Sequence, residues 1–244
     1  MSHLCKDLIH TGENDRTHGR GFLNKISEGI KKISKKIKAA LILKEGVVLI
    51  DTHLHPSKKA FGQGHELGHH QIPEHKAILY VCSEADLDPR TRIEMEFEAN
   101  VYSSEILIPS PLLEKVYKEY PLSMETILML ANFSGASIHA SALKYVSSCT
   151  HRCCLLILEA DQDDEGKPGL RMKQQIWSPA WGKEYRRKII GDKQFFPHTH
   201  NLSIVAFSGQ SGDVIKNTIT IRNTDKSFNA HTFFNGYTAF ALLL

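Results

Sequence analysis

The segment Phe61-Gly-Gln-Gly-His65-Glu66-Leu-Gly-His69-His70 sets two histidines four residues apart, with a glutamate directly after the first. On an α-helix such positions lie about 40° apart around the axis, so His65 and His69 face the same way and can chelate one cation. Neutral imidazole suits Zn²⁺. Glu66 falls on the flank of the pair. There a carboxylate can take a proton from a water at the metal without occupying the metal itself, as in hydrolytic zinc sites. Two imidazoles do not complete such a site, and the third ligand has to come from elsewhere in the chain.

Two residues compete for that place. His75 stands ten positions after His65, the outer spacing of the metzincin pattern. That pattern needs a glycine seven residues after the first histidine to turn the chain, and here Ile72 stands there with Pro73 next. A β-branched residue is poor at positive φ, which disfavours His75. The other candidate is a glutamate on the helix expected from about residue 90 to residue 108. With Ile93 at zero on a helical wheel, Glu94, Glu98 and Glu105 cluster between about 100° and 140° and are expected to be solvent-side charges. Glu96 falls near ~300° and Asn100 near ~340°, within the arc of Ile93, Phe97 and Leu107, which is expected to be the buried side. A carboxylate there needs a partner, and a zinc ion is one. Asn100, a turn further on, is placed to hydrogen-bond a ligand histidine from behind. The expected set is therefore His65, His69 and Glu96 as metal ligands, Glu66 as the catalytic base and Asn100 as support.

Helices must carry these residues. One is expected over Ala60–Gln71, stopped by Pro73, and the next over Arg90–Ile108, closed by Pro109. Gly68 and Ala99 are small enough to let the two approach. Before them, Val47–Ile50 reads as a short buried strand ended by Pro56, and Phe22, Ile26, Ile30, Ile33 and Ile37 mark an amphipathic helix with a lysine face. Residues 123–148 read as two short helices around Gly135, taken as packing rather than DNA recognition. After Cys153 the runs CCLLILEA, KQQIW, LSIVAFS, VIKNTITIR and YTAFALLL are expected to be strands. The expected organisation is a loose arm over 1–20, a zinc peptidase domain over 21–120, a helical pair over 121–152 and a β-rich unit over 153–244, an α+β protein.

Composition narrows the partners. The 244 residues carry 30 Lys and Arg against 27 Asp and Glu, a net charge of +3, so no global field favours nucleic acid or a membrane surface. Five cysteines without a CxxC pair suit reduced thiols, and no apolar run approaches the ~20 residues of a membrane span. The expected compartment is the cytoplasm. Asp51-Thr-His53-Leu-His55 has the HxH of metal-dependent amidohydrolases, but the alternating strands and helices of their barrel are missing from the pattern. Cys149, His151, Cys153 and Cys154 lack tetrahedral spacing and read as core thiols.

HELGH, the spacer IPEHK and EFEANVYSSEILIP together resemble the ImmA/IrrE-type metallo-endopeptidases over roughly Phe22–Val146. The resemblance implies a gluzincin-like α/β peptidase domain with the zinc set named above. It also implies a protein substrate such as a transcriptional repressor or an antitoxin-like companion. Gly64 stands where an alanine is more usual, and Tyr102-Ser103 replaces a common Phe-Ala pair. The alternative carried beside this reading is a non-catalytic or gated regulator on the same zinc scaffold, with the β-rich unit as its sensor.

Overall fold

The computed structural model describes residues 9–10, 39–42, 47–51, 53–81, 88–181, 194–208, 212–221 and 226–244. Most of the expected arm and the whole lysine-faced helix lie outside these residues. The chain divides into two compact units, Met1–Pro109 and Ser110–Leu244.

In the first unit, β1 (Ile9–His10), β2 (Ala39–Ile42) and β3 (Val47–Ile50) form an antiparallel sheet in the order β1-β3-β2. Three helices follow: α1 (Pro56–Gln71), α2 (Pro73–Val81) and α3 (Pro89–Leu107). The start of α1 corrects the expectation of a helix beginning at Ala60. Pro56 does not merely end the strand; it occupies the first helical turn, where its missing N–H would have had no partner anyway. His55 caps that turn, its Nδ1 accepting from Ser57 N at 3.3 Å. Asp88 caps α3 in the same manner, accepting from Arg90 N and Thr91 N. Helix α1 stops at Ile72, and Pro73 opens α2.

Helices α1 and α3 cross at two glycines. A Cβ on Gly68 would sit 3.1 Å from Ala99 Cα, a tight fit, and one on Gly64 would sit 2.6 Å from Ser103 Oγ, so that a side chain at 64 forces Ser103 to shift. Ser103 is fully buried and donates to Phe61 O at 2.7 Å, tying the helices together. The buried stripe of α3 is Met95, Ala99 and Ser103, while Ile93 and Phe97 are 69% and 66% exposed. The helical wheel was right in period and wrong in phase, because it took large apolar side chains to be the contact. At this close crossing, small residues make it.

The second unit opens with α4 (Ser110–Glu119), α5 (Met124–Ser134) and α6 (Ile138–Ser148). Gly135, at φ 68°, ends α5 in the left-handed conformation. Strands β4 (Cys154–Gln162), β5 (Pro168–Trp177), β6 (Phe195–Pro197), β7 (Val214–Ile221), β8 (Lys226–Phe234) and β9 (Thr238–Leu243) build an antiparallel sheet in the order β6-β5-β4-β9-β8-β7. Cys154–Leu158 are buried on both faces of the sheet, so β4 reads as a continuous apolar run. The LSIVAFS segment is a correction. It forms helix α7 (Asn201–Ser208), not a strand, with Leu202, Ser203 and Ala206 buried at helical spacing. Its β-branched content is overridden by packing on the sheet, where Leu202 and Ala206 join the core with Leu170 and Ile219. The chain is thus of mixed α+β class. Among the described residues no single helix is long and apolar enough to cross a membrane.

Candidate metal centre

The close crossing of α1 and α3 brings His65, His69 and Glu96 together. His65 Nε2 lies 3.2 Å from His69 Nε2 and 3.4 Å from Glu96 Oε2, and His69 Nε2 lies 3.5 Å from Glu96 Oε1. A tetrahedral ion with ligand bonds of about 2.0–2.2 Å separates its ligand atoms by about 3.3–3.6 Å. The two nitrogens stand near that spacing, each faces a different oxygen of Glu96, and one ligand atom from each residue lies within 4.8 Å of the others, close enough to share one ion. Among the described residues, this is the one His, Cys, Asp and Glu grouping tight enough to hold a metal. The histidines are largely enclosed, whereas Glu96 keeps nearly half of its side-chain surface exposed, so the cluster opens to solvent on that side.

The outer nitrogens of both histidines are engaged. His65 Nδ1 lies 3.0 Å from Asn100 Oδ1, an oxygen that can only accept, so Nδ1 carries the hydrogen and the Nε2 lone pair faces the cluster. His69 Nδ1 lies 3.1 Å from His75 Nδ1, and His75 Nε2 lies 2.8 Å from Glu98 Oε2. Helix α2 supplies His75, which is 1% exposed. The carboxylate of Glu98 fixes a hydrogen on His75 Nε2, leaving Nδ1 as the acceptor for His69 Nδ1–H. Two bare nitrogens and a carboxylate then converge with no hydrogen between them. That arrangement is repulsive unless a cation sits among them, and the donor set fits zinc.

Glu66 follows His65 on α1 and is partly buried. Glu98 corrects the expectation of a plain solvent-side charge. It is half exposed, yet its carboxylate lies 2.8 Å from Nε2 of the buried His75 on α2. No residue spacing announces that pair. The signal that was available is the histidine itself, since a buried imidazole needs partners for both nitrogens.

Other sequence candidates have structural partners. His53 N donates to Asp51 Oδ1 at 2.9 Å in a turn, and His55 caps α1. A further histidine not among those candidates, His200, caps α7, accepting from Leu202 N at 3.2 Å. Cys149, Cys153 and Cys154 are buried free thiols. The Cys153 thiol hydrogen-bonded to Cys149 holds Cys149 below the usual thiol range, with His151 adding to the effect, while burial pushes Cys154 up.

Residues 24–144 match the family described as IrrE N-terminal-like domain, Peptidase_M78. This segment of the chain is an IrrE N-terminal-like domain. The match covers the three helices of the histidine cluster and runs on into α6. No curated protein matches the chain. Among solved structures, a Mycobacterium tuberculosis transcriptional regulator is similar at 13% identity and a TM-score of 0.52, over 87% of this chain and 63% of that one. At this identity the likeness is one of fold, and the chain spans under two thirds of that protein.

Proposed function

We propose that the chain is a zinc-dependent endopeptidase with a gluzincin-like site, hydrolysing a peptide bond in a protein substrate such as a transcriptional repressor or an antitoxin-like regulator. One observation carries this reading: the lone pairs of His65 and His69 and the Glu96 carboxylate converge closely enough to share one ion, with both outer imidazole nitrogens already engaged. Zinc, when bound, supplies a Lewis acid that acidifies water and polarises a carbonyl. The chain supplies the rest. His65, His69 and Glu96 hold the ion, Asn100 orients His65, and Glu66 accepts a proton from the attacking water and returns it to the leaving amine. Reduced thiols at Cys149, Cys153 and Cys154 favour the cytoplasm as its compartment.

A gated regulator on the same scaffold is the second reading. The similar mycobacterial protein, a transcriptional regulator, favours it, whereas the presence of Glu66 beside His65 favours chemistry. Elemental analysis of purified protein tests the site. About one zinc per chain is expected in wild type and in Glu66→Gln, and none in Glu96→Ala. Zinc absent from wild type after reconstitution would sink the peptidase. Zinc present, with no Glu66-dependent cleavage of any co-purified or co-encoded protein, would favour the regulator.

A further inference from the structure

We propose that His75 and Glu98 are positioning residues that set the metal-binding form of His69. The inference rests on the zinc reading above. It concerns residues which that reading does not use.

His69 has a nitrogen facing Glu96 and a nitrogen facing away, and only one can be bare in the neutral ring. Which one is bare depends on what the outer nitrogen meets. Were the outer partner an obligate donor, His69 would accept there, carry its hydrogen on Nε2 and be useless to a cation. The partner is instead His75 Nδ1 at 3.1 Å, a group that can donate or accept. Glu98 Oε2, 2.8 Å from His75 Nε2, decides between the two. A carboxylate accepts, so the hydrogen of His75 stays on Nε2 and its Nδ1 accepts from His69. The chain of directions runs Glu98, His75, His69, and delivers the Nε2 lone pair of His69 to the cluster. Asn100 does the same for His65 in one step, because an amide oxygen has no choice of role.

Packing encloses the middle of the relay, while Glu98 stays half exposed. His75 is 1% exposed, so water does not compete for its nitrogens, and Pro73 begins the helix that carries it two residues earlier. Glu98 sits two positions after Glu96 on α3, so the helix that provides the third ligand also orients the second. Partners behind metal-bound histidines typically govern affinity by about 10–100-fold.

Competition with a chromophoric chelator measures zinc affinity in wild type, His75→Phe, His75→Gln, Glu98→Gln and Glu98→Ala, with circular dichroism as the check on folding. His75→Phe removes the acceptor and is expected to weaken zinc by about 10–100-fold. His75→Gln keeps an amide oxygen for His69 Nδ1–H and is expected to recover part of that loss. Glu98→Gln keeps an acceptor for His75 and should lose less than Glu98→Ala. Nitrogen-15 spectra of the imidazoles give an independent reading in the metal-free protein, where His75 is expected to have a bare Nδ1 and a protonated Nε2. A folded His75→Phe with wild-type affinity overturns the proposal. So does a loss as complete as that of Glu96→Ala, which would make His75 itself a ligand. A protonated His75 Nδ1 overturns it too. If wild type binds no zinc, the peptidase reading fails separately, and the spectra still decide the relay.

Discussion

Gly64→Ala should destabilise the first unit, and Ser103 is the reason. The new Cβ would lie 2.6 Å from Ser103 Oγ, 3.1 Å from Ser103 Cα and 3.2 Å from Ser103 Cβ. Carbon atoms rest at about 3.5–4.0 Å. The hydroxyl has to rotate away, breaking its 2.7 Å bond to Phe61 O in a fully buried position. An unsatisfied buried hydroxyl costs about 1–3 kcal/mol, and the remaining crowding adds to that. Alanine returns about 0.5–1 kcal/mol of helix propensity. The expected net loss is about 1–3 kcal/mol. Ser103→Ala alone loses one hydrogen bond, about 0.5–1.5 kcal/mol. The double variant has no hydroxyl left to displace, so Gly64→Ala should cost about 1–2 kcal/mol less there than in wild type. Both tryptophans, Trp177 and Trp181, belong to the other unit, so fluorescence is the wrong probe. Amide hydrogen exchange of α1 and α3, read by mass spectrometry on all four proteins, measures the local free energies. A coupling below about 0.5 kcal/mol, or a stabilising Gly64→Ala, refutes the reasoning. On this account the glycine at 64 and the serine at 103 are one packing unit.

The second unit offers two further tests. Burial holds His231 below the usual histidine range, with Lys216 acting in the same direction and Glu125 opposing, and its Nδ1 accepts from Met124 N at 3.4 Å. The unfolded chain therefore binds the proton first, so stability is expected to fall as pH drops below the ordinary value of about 6.5. Denaturation midpoints over that range should flatten in His231→Gln, and an unchanged slope would remove His231 from the account. Gly135→Ala meets no atom within 4 Å, so its cost is the backbone's alone at φ 68°, about 1 kcal/mol by urea denaturation, and a neutral result would mean that the turn relaxes.

The shared face of His65 and His69 was legible because their relation is local. Residues four apart on a helix share a face whatever surrounds the helix, and Pro73 and Pro109 bound the helices covalently. Glu96 and Asn100 were chosen from an arc taken to be buried, yet that arc's Ile93 and Phe97 are exposed, so the wheel pointed to them for a reason the structure does not share. Most of the strands after Cys153 declared themselves through short β-rich runs between turn residues, and the pair of helices through the break at Gly135. What lay beyond the sequence was every fact depending on which surface meets which. The phase of α3 is set by Gly64 and Gly68 admitting Ala99 and Ser103, so Ile93 and Phe97 face outward against their hydropathy. LSIVAFS became a helix because a sheet formed from distant segments offered a surface to its Leu202 and Ala206. The bond from Glu98 through His75 to His69 joins three helices across 29 residues of chain, and only the fold brings those partners within hydrogen-bonding distance. Periodicity records the geometry of one element at a time. Burial and hydrogen-bond direction belong to pairs of elements, and those pairs exist only once the chain has folded.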